Sequence, residues 1–271
     1  MIAFIHIGKT GGLTIQSILA SQYGLSHCDA VSWKSLSNSH ALEPVSAADV
    51  RKIKWIYPNL ECLTGHQIMP YGDLDTAFES LDYFALVRSP VQRMASAYQQ
   101  LRKTDPDYMS FEAYCDIDTH RDQQCRILGG AACAETALQV IQEKNVFVGI
   151  FERFDESLLL LKTLRLNELH LDYKHHNVAP SRAVSNELLD NDRTLGLLED
   201  ANKQDQILYD KVTDDIFPDY VQQYNGQLAD DAAAFATQPY VINSRNILLP
   251  RLKRKLIYEP AVRIYRTLGN G

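Results

Sequence analysis

An apolar run, residues 2 to 7, leads into the loop Gly8-Lys9-Thr10-Gly11-Gly12-Leu13-Thr14, and this junction limits the fold more tightly than any other stretch. A short apolar run without polar alternation reads as a strand buried on both faces. The glycines allow a sharp turn. Residues 14 to 23 follow with Ile15, Ile18 and Leu19 at helical spacing, and Gly24 stops the helix. A strand, a glycine loop and a helix in that order form an anion cradle. Glycines let backbone N–H groups point inward, and the helix N-terminus adds a positive field. Lys9 opens this loop instead of closing it, so the triphosphate pattern G-x-x-x-x-G-K-[ST] is not met.

Further buried strands are expected at 60–64, 83–87 and 145–151. Helices are expected at 91–101, 109–116, 121–128 and 134–143, then from an Asp155 cap to about residue 164, and at 184–199, 203–216 and 219–236. Residues 28–58, with scattered Ser, Asn and Pro, read as an irregular surface wrap. Strands alternating with helices argue for an α/β fold: a P-loop-like parallel β-sheet flanked by helices, with extra helices in the C-terminal half. Residues 1–240 read as one domain and 241–271 as a basic C-terminal tail or helix.

The chain has 271 residues, 45% of them hydrophobic, which is ample for a buried core. Its formal net charge of -7 argues against nucleic acid as a partner. From Arg245 onward, however, seven basic residues face one acid, Glu259. That tail, with leucines and isoleucines among its cations, could dock on the acidic body, on an acidic polymer, or weakly on a membrane surface. Five cysteines without a Cys-x-x-Cys pair point to reduced thiols and a cytoplasmic setting. No apolar run reaches the roughly 20 residues that span a bilayer, so no transmembrane segment is expected. The oligomeric state is left open.

A second motif, Arg88-Ser89-Pro90-Val91-Gln92-Arg93-Met94-Ala95-Ser96-Ala97-Tyr98, follows the third strand. A residue just past the C-terminal end of a parallel strand stands at the ligand crevice. Arg88 takes that place, and Ser96 lies on the next helix with Arg93 on the same face. Arg88 and Ser96 suit a second phosphate, through charge-assisted and hydroxyl hydrogen bonds.

The two motifs together resemble the PAPS-dependent sulfotransferases. The first is similar to the loop, usually Pro-Lys-x-Gly-x-Thr, that holds the 5′-phosphosulfate; Gly8 stands where that loop has proline. The second is similar to the segment that holds the 3′-phosphate. Further stretches resemble the carbohydrate branch, the heparan 2-O-sulfotransferases. They are Thr64-Gly65-His66, Arg121 to Gly129, Val148 to Ser157 and Asn202 to Asp210, so the likeness runs from about residue 2 to 217.

The resemblance implies PAPS as co-substrate, PAP as product, and a glycan hydroxyl as acceptor. Lys9 would support the charge that grows on the departing phosphate. Backbone amides of Gly11, Gly12 and Leu13, with the hydroxyls of Thr10 and Thr14, would hold the phosphosulfate. His66, just past a strand, would be the general base, a role that imidazole suits near neutrality. Ser181 and Arg182 would cover the donor from a late loop. An anionic polysaccharide acceptor would draw on Arg102, Lys103, Arg121 and Arg126. No metal is expected, because no carboxylate cluster with metal spacing lies near the loop.

Other roles are weaker. His6 reads as a satisfied core histidine and the adjacent His175 and His176 as surface residues, while Glu152, past the fourth strand, either orients a substrate or a neighbouring arginine or makes an ordinary ion pair. Competing functions are sulfation of a tyrosine, lipid or small-metabolite hydroxyl, an ATP- and magnesium-dependent kinase, and a catalytically inactive glycan-binding module.

Overall fold

Ile2–Ile5 (β1) is the middle strand of a five-stranded, wholly parallel sheet. The computed structural model describes residues 1–34, 43–171, 183–237 and 244–268. His27–Asp29 (β2), Cys62–Gly65 (β3), Asp82–Val87 (β4) and Phe147–Ile150 (β5) complete the sheet in the order β2-β3-β1-β4-β5. Ile5 is in register with Gly65 on one side and with Ala85 on the other. After β1 the chain builds one wing of the sheet and then crosses to the other. The loop after β1 therefore lies at the topological switch point, where ligands of open α/β sheets bind.

Helices cover both faces, which is why β1, β3 and β5 are buried along their whole length. Gly12–Tyr23 (α1) follows β1, and Ala47–Ile56 (α2) lies between β2 and β3. Pro90–Thr104 (α3) leaves β4, followed by Phe111–Asp116 (α4), Gln123–Gly129 (α5) and Ala134–Glu143 (α6). Phe154–Leu164 (α7) packs back on β5. The C-terminal half adds Ala183–Asp190 (α8), Asp192–Ala201 (α9), Lys203–Lys211 (α10), Phe217–Gln223 (α11) and Leu228–Ala236 (α12). Ser244–Lys253 (α13) and Glu259–Leu268 (α14) are joined by a π-helical turn over Arg254–Tyr258. No described helix is long and apolar enough to cross a membrane.

The α/β architecture matches the expectation, with local differences. Residues 28–58 are not simply an irregular wrap, since β2 and α2 lie largely within them. Strand β2 has only three residues, too few to show a period. Helix α2 has a full capping box: the Ser46 side chain accepts from the Asp49 amide, and the Asp49 carboxylate accepts from the Ser46 amide. Asp155 is not the cap of α7, because Arg153 flanks that helix and Asp155 stands in its first turn.

The main core spans the sheet and includes Tyr258 and Val262, so the basic C-terminal segment is anchored in it. Arg254 pairs with Asp29 at 3.2 Å and with Glu259 at 2.9 Å. A smaller core beneath α3, α4, α8 and α9 gathers Met94, Tyr98, Phe111 and Leu198.

Candidate functional site

The loop after β1 is shaped by what lies under it. Gly11 has φ +82°, and a Cβ there would lie 2.8 Å from the Phe154 ring. A Cβ on Gly12 would fall 1.9 Å from the His6 ring, so the start of α1 presses directly on that histidine. Lys9 also takes a left-handed conformation, φ 71°. Gly8 differs from these. A Cβ on it would meet nothing within 4 Å.

As the first residues of α1, Gly12 and Leu13 have no acceptor four residues back within the helix, and their N–H groups have no intrahelical partner. The Thr14 amide instead donates to the Gly11 carbonyl at 3.0 Å. Thr10 is fully buried, and its hydroxyl donates to the Ile7 carbonyl at 2.9 Å. It braces the loop from inside, which differs from the expected contact with an anion. Thr14 is also buried.

Arg88, just past β4, reaches the loop from one side. Its Nη1 donates to the Lys9 carbonyl at 3.0 Å, and its guanidinium lies 4.7 Å from the centroid of the Phe151 ring. Its backbone is clamped by the buried Gln124, whose Oε1 accepts from the Arg88 amide and whose Nε2 donates to the Arg88 carbonyl, both at 2.9 Å. Glu152 accepts from the Ser89 amide at 3.0 Å and from the Tyr209 hydroxyl at 3.1 Å, and it lies 4.0 Å from Arg88 Nε. This is the ion-pairing role expected for Glu152.

Burial, and then the nearby charges of Arg88 and Lys103, hold the Lys9 ammonium below the usual lysine range. Cations gathered beside a loop at a helix N-terminus make a setting that suits an anion. Ser96 is half-buried in the second turn of α3. Arg93 does not share its outlook. It is buried, and its Nη1 donates to Gln123 Oε1 at 2.6 Å.

On the other side of β1, Gly65 has φ +146°, and a Cβ there would lie 2.5 Å from the Ala30 carbonyl oxygen. This close passage delivers His66 to the crevice, where it is exposed. His66 Nδ1 lies 2.8 Å from the His6 carbonyl oxygen. A carbonyl can only accept, so in the neutral ring Nδ1 carries the proton and Nε2 keeps its lone pair. Asp29, at the end of β2, is raised by burial and drawn back down by Arg254 and by His66. The carboxylate therefore feels the histidine. It also accepts from the Gln16 amide at 3.2 Å.

His6 departs from the expected satisfied core histidine. It lies just beyond β1 with its ring stacked on His66 at 4.0 Å, and its Nδ1 has no partner among the described residues. Burial and the neighbouring His66 lower its pKa to about 3.

Neither a family model nor a curated protein matches the chain.

The other expected residues are placed as follows. Arg121 donates to the Asp200 carboxylate at 2.8 Å and to the Asp200 carbonyl at 2.9 Å. Arg126 reaches Asp118 at 2.8 Å and the Arg121 carbonyl at 3.0 Å. Both guanidiniums fasten neighbouring turns. Arg102 is exposed near the end of α3 and donates to the Tyr108 carbonyl at 3.3 Å. Ser181, Arg182, His175 and His176 lie outside the described residues. Sequence reasoning assigns no role to Gln124, Phe151 or Asp29, although the first two fall within the quoted motifs.

Proposed function

We propose that this chain transfers a sulfuryl group from PAPS to a hydroxyl of a carbohydrate acceptor. One observation carries the reading: Lys9 and Arg88 meet at the glycine loop on one side of β1, while His66 presents an Nε2 lone pair on the other. On this reading the anionic donor and the base for the acceptor take separate places at one switch point.

The donor supplies an activated sulfuryl group on a phosphate leaving group. The chain's own part is to bind charge and to move one proton. The amides of Gly12 and Leu13 offer fixed dipoles at the helix N-terminus. Lys9 and Arg88 add charge, and Gln124 fixes Arg88 by its backbone, so little reorganisation is needed when an anion arrives. His66 Nε2 accepts the proton of the acceptor hydroxyl, and its Nδ1–H stays on the His6 carbonyl.

A cleft of about 400 Å³ runs along α1 from Leu13 and Gln16 past Asp29 to Tyr57 and Arg254. Carboxylate, amide and guanidinium groups beside apolar walls suit a polyhydroxylated acceptor.

Thermal denaturation with added nucleotide tests this reading. Stabilisation by 3′-phosphoadenosine 5′-phosphate without metal is the expected result. Stabilisation by ATP with magnesium alone would point to a kinase instead.

A further inference from the structure

The C-terminal segment has a period of four. Pro250, Arg254, Tyr258, Val262 and Arg266 face the body. Pro250, Tyr258 and Val262 are buried, Arg254 bonds Asp29, and Arg266 donates to the Ser32 carbonyl. Two residues away from each anchor, on the opposite side of the helix, stand Leu248, Leu252, Leu256, Pro260, Ile264 and Leu268. All six are exposed, and the five large ones range from 42% to 76%. Twenty helical residues span about 30 Å. An apolar ridge of that length, facing away from its own core, is a contact surface.

The rows beside the ridge indicate what it meets. On one flank Arg251, Lys255 and Arg263 are exposed, and the acid between them, Glu259, is held by Arg254. On the other flank Leu249 and Ile257 are more than half exposed. A helix with a leucine ridge, a basic flank and a firmly anchored inner face has the amphipathic form that lies in a membrane interface.

We propose that this segment docks the protein on a lipid surface carrying anionic headgroups, with the ridge in the acyl boundary and Arg251, Lys255 and Arg263 among the headgroups. A second copy of the chain fits less well. Antiparallel ridges would face basic rows with basic rows, and the large exposed apolar residues outside this segment (Leu13, Leu25, Trp55, Met109 and Ile207) are scattered along the described chain. The proposal does not depend on the reading of the glycine loop.

Vesicle flotation of the full chain tests it, with phosphatidylcholine alone and with an equimolar phosphatidylcholine–phosphatidylglycerol mixture. Binding is expected to the mixture and not to phosphatidylcholine alone. Leu252→Asp with Leu256→Asp, or Lys255→Glu with Arg263→Glu, should weaken it about tenfold or more. These side chains are exposed, so both variants should melt with the wild type. If the leucine pair melts early, Leu268→Asp in the last turn of α14 replaces it. Failure to float with the mixed vesicles overturns the proposal, as does binding that the ridge variants retain. A dimer in sedimentation velocity that the ridge variants dissolve also overturns it, in favour of a second copy.

Discussion

Asp122 and Asp205 each cap the helix that follows or carries the other. The Asp205 carboxylate accepts from the Gln124 amide at 3.0 Å and the Cys125 amide at 2.8 Å, at the start of α5. Asp122 Oδ1 accepts from the Gln204 and Asp205 amides at 2.8 and 3.0 Å, at the start of α10. Gln124, so fixed, holds Arg88. Two motifs about eighty residues apart in sequence thereby form one support for the candidate site.

Asp205 is buried, and burial raises its pKa against the opposing pull of Arg93. Asp205→Ala would leave the α5 amides without their acceptor and Arg93 without its nearby negative charge. A loss of about 3–5 kcal/mol is expected in urea denaturation. Asp122→Ala removes one cap and should cost about 1 kcal/mol. Equal losses for the two would argue against this hierarchy.

Gly12→Ala and Gly8→Ala separate loop shape from loop composition. The first puts a methyl group into the His6 ring and should cost about 1–3 kcal/mol. The second meets open space and should stay within about 0.5 kcal/mol of wild type. Melting temperatures decide the point, and a Gly8→Ala loss as large as that of Gly12→Ala would refute it.

Two buried histidines make stability depend on pH. Burial and His66 lower His6 to about 3, and burial and Arg254 lower His27 to about 4. The unfolded chain, with histidines near 6.5, binds more protons than the folded one between those values. Stability is therefore full above about pH 6.5 and falls on acidification, by up to about 1.4 kcal/mol per pH unit for each group. His27→Asn should flatten the curve between pH 6.5 and 4 relative to wild type. An unchanged slope would mean that His27 does not carry its share.

Arg88→Ala should weaken binding of 3′-phosphoadenosine 5′-phosphate about tenfold or more, since a charge-assisted hydrogen bond is worth about 1.5–3 kcal/mol. Gln124→Ala should weaken it in the same direction without removing any charge. Calorimetric titration at two salt concentrations reads both effects. Wild-type affinity in Arg88→Ala would remove Arg88 from the anion site.

The strand–loop–helix unit was legible because its signal is local: an apolar run, glycines, then helical spacing. The parallel sheet followed from alternating elements of ordinary length. Three-residue β2 was not legible, since it owes its existence to β3 beside it. The partners of Arg93, Arg121 and Arg126 were not legible for a related reason. A sequence shows that a cation is present but not that Gln123, Asp200 or Asp118 will meet it. His66 could be picked out by its place after a strand. Its tautomer depends on the His6 carbonyl, sixty residues away in the chain.

Transfer of labelled sulfate from PAPS, assayed over a panel of glycans, phenols and lipid alcohols with wild type and His66→Ala, tests the proposed activity most directly. The expected result is transfer to a glycan, reduced about 10²–10⁴-fold in His66→Ala while binding of 3′-phosphoadenosine 5′-phosphate is retained. No transfer to any acceptor by wild type, or full activity in His66→Ala, would show that the loop and the histidine do not work together as described.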